Sequence, residues 1–318
     1  MQMVDDARVV VYLMTGFLES GKTSFLKQTI DKQYFKIDGT TVIILCEEGE
    51  EEYEEDLLAR AKAKIVTVED PEELTKEFLQ EVEDKYHPER VIFECNGMYP
   101  VSKMEALDVP DGWGLIQEIT TVDASTFDVY IANMKSLFVE MVRNADMVLF
   151  NRCTEDMPLA GYRRSVKVVN QGAQIIFEGA EGEIEDIFSD QMPYDLDAPV
   201  IKIEDMDYGI WYVDMMDNPE KYKGKVVEIQ GRARKAKGFP KGEFVLGRSA
   251  MTCCADDTTF LGYVCKSPYA PKLKKGQWVK IRAKIGFARV SVYGGVGPVL
   301  EAEHIEDDEA IEELVYFN

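Results

Sequence analysis

The residues best suited to chemistry lie near the start of the chain, in the stretch Gly16–Thr23. This stretch has glycine at its first and sixth positions and ends with Lys22 and Thr23. Glycines let a loop turn its N–H groups inward around a phosphate, a lysine can reach the β- and γ-phosphates, and a threonine hydroxyl can ligate Mg²⁺. The alternative, a chance glycine turn, does not account for the complete spacing. The stretch therefore predicts a phosphate-binding P-loop.

A second group of candidate residues follows another apolar run. Val91–Phe93 is predicted to form a strand, which leads directly into Glu94, with Gly97 three residues later. In P-loop enzymes an acid at the end of such a strand orders the Mg²⁺ ligands, and a glycine N–H can bind the γ-phosphate. We expect Lys22, Thr23 and Glu94 to be catalytic, with Thr23 and Glu94 at the Mg²⁺. No residue stands out as a base for the attacking water, so turnover should be slow.

Eight carboxylates occupy the ten positions 47–56, directly after the predicted strand Thr41–Cys46. A run of this kind is usually a solvated helix start or a mobile loop. It could instead be a switch segment that supplies a carboxylate to Mg²⁺ or to a second metal. The spacing does not indicate which carboxylate that would be.

Three cysteines in the second half are candidate metal ligands: Cys253, Cys254 and Cys265. If residues 244–254 and 260–265 form a hairpin, Cys254 and Cys265 could face each other, and thiolates suit Zn²⁺. Against this, neighbouring residues of a strand point to opposite faces. The alternative is one core cysteine and one surface cysteine. Cys46 and Cys95, at predicted strand ends, are expected to be packing residues.

The composition describes the chain as a whole. A length of 318 residues suffices for two domains, and 46% hydrophobic residues support packed cores. The first residues are acidic where a signal peptide would be basic, and the first apolar run is too short to span a membrane. We expect a cytosolic protein with reduced cysteines and no membrane insertion.

The formal charge of −23 is unevenly distributed along the chain. Overall acidity argues against a nucleic-acid partner, because such binding neutralises phosphates with lysine and arginine. Residues 221–289, however, contain 17 basic and only four acidic residues. This basic segment could dock against the acidic first part of the chain or bind an anion.

Hydrophobic patterning predicts two kinds of domain. Before residue 190, apolar strand runs alternate with helical patterns such as 71–84 and 134–143, which is typical of an α/β domain with a mainly parallel sheet. Beyond residue 205, short strand-like runs separated by turns predict a small all-β, OB-like barrel; these runs are 226–230, 243–246, 261–264 and 278–283. The predicted domains are therefore 1–190 and 205–318, joined by a linker over 191–204.

The first part of the chain resembles the CobW-type GTPases, relatives of the urease and hydrogenase accessory GTPases that deliver metals. In collinear order over about residues 8–178, the motifs that carry the resemblance are Gly16–Thr23, Glu94–Gly97, Thr121–Ala124, Ala145–Arg152 and Val169–Ile175. It implies a P-loop NTPase fold, GTP hydrolysis and a link to zinc, cobalt or nickel homeostasis. The nucleotide-binding residues that it implies are Gly16, Glu19, Ser20, Gly21, Lys22, Thr23, Ser24, Gly97, Asn151 and Arg152.

One departure from this family concerns the metal. Its members usually carry a Cys-x-Cys-Cys motif between the second and third strands, but residues 47–90 contain no cysteine. The metal site is therefore absent or rebuilt, for which Cys46, Cys95 and the acidic run would be the available residues.

Another departure concerns the base. The usual Asn-Lys-x-Asp motif is replaced by Asn151–Thr154. Asn151 can still contact a purine and the stem of Arg152 can lie over it, but the carboxylate that pairs with guanine is missing unless Glu155 or Asp156 substitutes. Use of ATP therefore stays open.

The second part resembles the C-terminal domain of YcgQ-type proteins, which accompany predicted permeases. The resemblance covers about residues 205–318 and is carried by Asn218–Lys225, Phe244–Arg248, Cys253–Asp257, Trp278–Val279 and Val315–Phe317. It implies a metal-related role without naming the metal.

The sequence as a whole predicts a GTP-binding and GTP-hydrolysing metal chaperone or regulator of metal homeostasis. Its ligands would be GTP, Mg²⁺ and, as the first candidate metal, Zn²⁺. Its partner would be a metal-requiring client or a metal-transport protein. A homodimer is one option for its oligomeric state. Two alternatives stay open. The chain could be a nucleotide-controlled module whose barrel stacks single-stranded nucleic acid on Trp211, Phe239, Tyr263 and Trp278. It could also be a non-hydrolysing regulatory scaffold.

Overall fold

The structure is a computed structural model. It describes residues 7–47, 49, 51–184, 187, 192–235, 239–252, 257–311 and 314–315. The chain divides into two compact units, Met1–Leu159 with Asn170–Asp186 and Ala160–Val169 with Ile187–Asn318. In the described part of the chain, no helix is both long enough and apolar enough to cross a membrane.

The first unit is built on a single sheet. Its strands are β1 (Val9–Thr15), β2 (Thr40–Leu45), β3 (Ala63–Thr67), β4 (Pro88–Glu94), β5 (Trp113–Asp123), β6 (Met147–Cys153), β7 (Gln174–Gly179) and β8 (Gly182–Glu183). Among the described residues these eight strands follow the order β3-β2-β4-β1-β5-β6-β7-β8. Every neighbouring pair is parallel except β7 and β8. The predicted α/β domain with a mainly parallel sheet is confirmed.

Helices cover both faces of this sheet. They are α1 (Lys22–Thr29), α2 (Glu55–Arg60), α3 (Lys76–Tyr86), α4 (Val101–Glu105) and α5 (Phe127–Arg143); α6 (Leu159–Lys167) lies, beyond its first residue, in the second unit. Alternate residues of a strand point to opposite faces. Leu13 therefore packs in a cluster with Leu79 of α3 on one face, while Met14 packs with Leu26 of α1 and Leu57 of α2 on the other.

Two helices differ from their predicted bounds. Where a helix over 71–84 is predicted, a 3₁₀ turn at Pro71–Glu73 precedes α3. The side chain of Thr75 accepts a hydrogen bond from the Phe78 N–H at 3.2 Å and so caps the start of α3. Helix α5 begins earlier than the predicted 134–143, because it joins two helical stretches across a kink at Met134.

The second unit contains a closed barrel. Its strands are β9 (Ile201–Lys202), β10 (Val226–Arg234), β11 (Glu243–Met251), β12 (Thr258–Lys266), β13 (Trp278–Val290) and β14 (Gly295–Asp307). In the part of the chain that the structure describes, five of them form the ring β10-β11-β12-β14-β13, in which β13 pairs back to β10. Only β12 and β14 run parallel in this ring. The predicted small all-β barrel is confirmed.

The segment that we expect to be a linker contributes to this barrel. Strand β9 pairs in parallel with β10, opposite Val227, and the side chain of Ile201 is fully buried. Two helices, α7 (Tyr208–Asp217) and α8 (Pro219–Tyr222), follow before β10. The sheet that forms the barrel therefore begins within the predicted linker.

Aromatic side chains fill the barrel core rather than its surface. The rings of Trp211 and Tyr263 lie 5.6 Å apart, edge to face, and the two residues are only 0% and 2% exposed. Tyr212, which lies beside Trp211 on α7, stacks on Tyr263. Trp211 and Tyr263 are therefore not available to stack on bases. For these two of the four aromatic residues, the predicted role in nucleic-acid binding is wrong.

The close approach of β11 and β12 predicts an intolerant glycine. Gly247 lies opposite Gly262, and a Cβ on Gly247 would overlap the Leu261 carbonyl oxygen and lie 2.7 Å from Gly262 Cα. We expect Gly247→Ala to lower the free energy of unfolding by about 1–3 kcal/mol, measured by urea unfolding. The control is Gly286→Ala on β13, where the nearest atom would be 3.8 Å away, and it should change little. Equal stability of the two variants would contradict the packing described here.

A buried carboxyl in the first unit predicts a pH dependence. Burial, assisted by the nearby carboxylates of Glu105 and Asp146, raises the pKa of Glu118 to about 8. The folded state therefore prefers the neutral acid. The contribution of Glu118 to the stability of the folded protein is complete below the unfolded pKa of about 4.5 and is lost as the pH rises through 8.

We expect the melting temperature of the wild-type protein to fall by about 3–5 °C more than that of Glu118→Gln between about pH 5 and pH 9. Differential scanning calorimetry of the two proteins across this range would measure the difference. Parallel curves would show that Glu118 does not titrate there.

Candidate functional site

The loop between β1 and α1 is folded around the side chain of its own lysine. Gly16 and Gly21 have φ angles of +134° and +95°, which other residues rarely adopt. Lys22, at the start of α1 and only 4% exposed, turns back to donate hydrogen bonds to the carbonyl oxygens of Gly16 and Phe17, both at 3.0 Å. The ammonium group thus lies at the centre of the loop predicted to bind phosphate.

The residues after β4 lie against this loop. A Cβ on Gly97 would lie 2.5 Å from the carbonyl oxygen of Gly16 and 2.7 Å from the Cα of Phe17. No side chain fits there, so the requirement for glycine at position 97 comes from the contact between the two loops. β4 neighbours β1 in the sheet, with Glu94 opposite Met14, and this neighbourhood brings the loops together.

The two predicted Mg²⁺ ligands are adjacent. Thr23 donates its hydroxyl hydrogen to Oε1 of Glu94 at 2.5 Å, and Tyr53 donates to Oε2 at 2.7 Å. Burial, followed by the charge of Glu94, raises the pKa of the Tyr53 hydroxyl, which therefore stays protonated and acts as a donor. Glu94 itself is buried. The structure thus brings together Lys22, Thr23, Glu94 and Gly97 as the sequence predicts.

The acidic run contributes specific residues to this site. Glu47 forms an ion pair with Lys22, and its Oε2 accepts a hydrogen bond from the Gly97 N–H at 3.1 Å. Glu51 accepts from the Ser24 hydroxyl at 2.9 Å, and Lys27 pairs with both Glu51 and Glu54. The run is therefore partly a helix start, since α2 begins at Glu55, and partly a wall of the site. Glu48 and Glu50 lie outside the described residues.

On the other side of the loop lie the residues predicted to contact the base. Asn151, near the carboxyl end of β6, donates from Nδ2 to the carbonyl oxygen of Ser20 at 2.8 Å. Arg152 has a positive φ of 55° and donates to the Glu19 carbonyl oxygen at 3.0 Å and to Asp123 at 2.5 Å. The predicted base-contacting side chains therefore touch the phosphate loop directly.

The remaining residues of the altered base motif, Cys153 and Thr154, are not placed like Asn151 and Arg152. Cys153 is buried, and its thiol donates to the Phe150 carbonyl oxygen at 3.4 Å. Thr154, Glu155 and Asp156 are exposed, and a hydrogen bond with Thr154 holds the pKa of Asp156 below its usual value.

A cleft connects these groups. Its lining consists of Leu18, Glu19, Gly21, Lys22, Thr23, Ser24, Glu47, Gly49, Glu51, Glu94 and Arg152. The loops after β1 and β2, the start of α1 and the carboxyl ends of β4 and β6 all contribute, because the carboxyl ends of parallel strands meet at one edge of a sheet. This is the arrangement that a bound nucleotide requires in an α/β fold.

The candidate zinc site is described only in part. Cys253 and Cys254 lie outside the described residues. The hairpin that would carry them is present, with Met251 opposite Thr258 beside the turn, but Cys265 pairs with Phe244 at the far end, about 23 Å along the strand at 3.3 Å per residue. Burial raises the pKa of the Cys265 thiol, whose surroundings in the barrel core are those of a packing cysteine.

The two cysteines at strand ends near the nucleotide cleft are also buried. Burial, followed by the charge of Glu47, raises the pKa of Cys46 to about 12, and burial raises that of Cys95 as well. Thiols of high pKa are poor metal ligands, because the thiolate is the form that binds. Among the described residues, no group of three His, Cys, Asp or Glu residues is placed to hold a metal ion.

Sequence reasoning missed three residues of this site: Glu47, Tyr53 and Asp123. Tyr53 carried a signal, since it is the single aromatic residue among the eight carboxylates of positions 47–56. Asp123 stood within a motif but had no assigned role, whereas in the structure it pairs with Arg152. Glu47 had no distinguishing signal, because most of the residues that follow it in the run are also glutamates.

Comparison with known proteins gives two family matches. Residues 10–177 match the CobW/HypB/UreG nucleotide-binding domain, and residues 182–317 match the DUF1980 C-terminal domain. No curated protein matches the chain.

Several solved structures are similar at low identity. A Zn(II)-bound YjiA GTPase from E. coli shares 17% identity, with 70% of this chain and 72% of that one covered and a TM-score of 0.42. The hydrogenase maturation factor HypB from Archaeoglobus fulgidus shares 18% identity, covering 54% and 82%, with a TM-score of 0.37. HypB from Helicobacter pylori, in complex with nickel, shares 15% identity, covering 55% and 80%, with a TM-score of 0.34.

These structural likenesses are too distant to bear on activity, and the family assignment depends on the sequence match. That match spans more than half of the chain and includes every residue that lines the cleft. We conclude that the chain belongs to the CobW/HypB/UreG family and carries a DUF1980 C-terminal domain after its nucleotide-binding domain.

Proposed function

We propose that this protein binds GTP with Mg²⁺ in the cleft around Gly16–Thr23, hydrolyses it slowly, and uses the nucleotide state to control a metal-related step. The observation that carries the proposal is the convergence of Lys22 and Thr23, at the start of α1, with Glu94 and Gly97, at and after the end of β4. The family supports a nucleotide and, for its GTPase members, a role with metals.

The phosphates would be held by donors of this chain. The ammonium of Lys22 and the N–H groups of the loop supply positive charge and hydrogen bonds to phosphate oxygens, and the start of α1 adds its dipole. Groups fixed in advance around the transferring phosphoryl group stabilise the charge that develops on it, which is the main route to phosphoryl-transfer catalysis. In the absence of an evident base, turnover would be slow.

The donor set fits Mg²⁺. Thr23 and Glu94 present a hydroxyl and a carboxylate oxygen 2.5 Å apart, and such hard oxygen ligands suit this ion. When bound, Mg²⁺ would neutralise charge on the phosphate oxygens. Tyr53, which donates to the other oxygen of Glu94, would hold that carboxylate in place.

The choice of GTP over ATP is the part of the proposal that depends on the family. Asn151 lies against Ser20, and its Oδ1 is buried without a hydrogen-bond partner among the described atoms. This amide and the stem of Arg152 would contact the purine. A carboxylate that reads guanine would have to come from Glu155 or Asp156, both exposed at the end of β6.

The metal-related step is proposed from the family and from the DUF1980 domain. We propose that Zn²⁺ is the first candidate metal, that Cys253 and Cys254 take part in binding it, and that a metal-requiring client or metal-transport protein receives it. Cys265 would be a third ligand only if its strand end opened, since it is buried in the barrel core. The protein would act in the cytosol, where its cysteines stay reduced.

Removing the ammonium group of the loop tests the nucleotide site. We expect Lys22→Ala to weaken GTP binding by at least about 100-fold, because a buried charge-assisted contact to phosphate is lost. Isothermal titration calorimetry with GTP and with ATP, both with Mg²⁺, measures the loss and the base preference together. The control is Lys32→Ala, an exposed lysine just beyond α1, which should bind as the wild type does. Unchanged GTP affinity in a folded Lys22→Ala protein would overturn the assignment.

The metal site is tested with the reduced protein. We expect Cys253→Ser/Cys254→Ser to lower Zn²⁺ affinity by at least about tenfold, and the affinity of the wild type to change when GTP and Mg²⁺ are added. Competition with a chromophoric chelator measures both effects. Cys265→Ser distinguishes a ligand from a packing residue: a ligand loses affinity, whereas a packing residue loses stability and keeps its affinity. A wild-type protein that binds no Zn²⁺ in either state would remove these cysteines from the proposal.

A further inference from the structure

One carboxylate of the acidic run holds two donors that a nucleotide would need. Glu47 pairs with the ammonium of Lys22 and accepts the hydrogen bond of the Gly97 N–H at 3.1 Å. Its side chain is only 11% exposed and that of Lys22 only 4%. Under the function proposed above, Lys22 would reach the β- and γ-phosphates, and the Gly97 N–H would bind the γ-phosphate.

We propose that Glu47 is a built-in competitor for the γ-phosphate of a nucleoside triphosphate. A triphosphate displaces the Glu47 carboxylate from Lys22 and Gly97, whereas a diphosphate, which lacks the γ-phosphate, leaves the hydrogen bond between Glu47 and the Gly97 N–H in place. The inference rests on the proposed nucleotide-binding function and adds the regulation of that same site.

The chemistry of the two anions supports this exchange. A carboxylate oxygen and a terminal phosphate oxygen are both anionic acceptors that form charge-assisted hydrogen bonds with an ammonium or a backbone N–H. Lys22 lies at the start of α1 and Gly97 in the loop after β4, so a single carboxylate can bridge them only if both donors point to one position. Two anions cannot share that position in a buried cleft, because like charges at contact distance repel strongly where water is excluded.

Glu94, Glu51 and Glu54, the carboxylates nearest to Glu47 in the site and along the acidic run, have other partners. Glu94 accepts from Thr23 and Tyr53, and Glu51 accepts from Ser24. Glu54 pairs with Lys27. The competition for the γ-phosphate position is therefore assigned to Glu47 and not to the general acidity of the segment.

Displacement of Glu47 would be transmitted along the chain. Glu47 lies two residues after the end of β2, and the same segment carries Glu51, which binds Ser24 and Lys27, and Tyr53, which binds Glu94. Movement of Glu47 would therefore change the contacts that residues 51–54 make. This gives the cleft a means of reporting the γ-phosphate to the acidic segment while a diphosphate leaves the segment unchanged.

The test compares triphosphate and diphosphate binding in Glu47→Gln. Glutamine keeps the shape and the acceptor oxygen but removes the charge, so it competes less well with a phosphate. We expect the affinity for a non-hydrolysable GTP analogue to rise by about tenfold, the effect of weakening one charge-assisted hydrogen bond, and the affinity for GDP to change less than about twofold. Isothermal titration calorimetry with Mg²⁺ measures both.

The matched control is Glu52→Gln, which removes one charge from an exposed residue of the same segment. It should leave both affinities unchanged. An equal gain in Glu52→Gln would show that general charge is responsible and would overturn the inference.

A second measurement needs no substitution. In wild-type protein labelled with ¹⁵N-glycine, we expect the Gly97 amide resonance to move when the GTP analogue is added and to stay near its starting position with GDP. Equal movement with both nucleotides would overturn the inference, since GDP would then also displace Glu47.

The outcomes separate this inference from the function on which it rests. If the wild type binds neither GDP nor the analogue, the proposed function and the inference both fall. If it binds both nucleotides but Glu47→Gln binds the analogue no more tightly, only the role of Glu47 is overturned.

Discussion

The buried ammonium group of Lys22 is the constraint on which the rest of the nucleotide cleft depends. A charge removed from water is costly unless acceptors surround it. The loop supplies the carbonyl oxygens of Gly16 and Phe17, and the segment after β2 supplies Glu47. These acceptors can meet only if the loops after β1 and β2 converge. Lys22 therefore links the phosphate loop to the acidic segment.

The order of the sheet makes this convergence possible. β4 lies between β1 and β2, and parallel strands deliver their following loops to the same edge. The absence of a side chain at Gly97 lets the loop after β4 touch the loop after β1. Glu47 and Glu94 can both lie in this small space because each carboxylate has its own donors. Glu47 accepts from Lys22 and Gly97, and Glu94 accepts from Thr23 and Tyr53.

The second unit has a different physical basis. Its barrel closes through the pairing of β13 with β10, and an aromatic cluster around Trp211 fills its interior. Part of the positive charge of residues 221–289 is used within the unit, since Glu228 pairs with Lys280 and Arg282, and Asp205 pairs with Arg248. The positive charge that remains for a partner is thus smaller than the excess of basic residues in the sequence indicates.

The sequence by itself determined the features that depend on consecutive residues. A phosphate-binding loop needs its glycines, lysine and threonine at fixed spacing, so Gly16–Thr23 was recognisable, as were Glu94 and Gly97 at a strand end. Strand length and turn spacing likewise predicted the parallel sheet and the small barrel. Only the tertiary structure decided that Glu47, among several similar glutamates, reaches Lys22, that Tyr53 holds Glu94, and that Cys265 is buried opposite Phe244. The physical reason is that these contacts depend on which strand ends are neighbours and how strands are paired in register, and neither is encoded in local spacing.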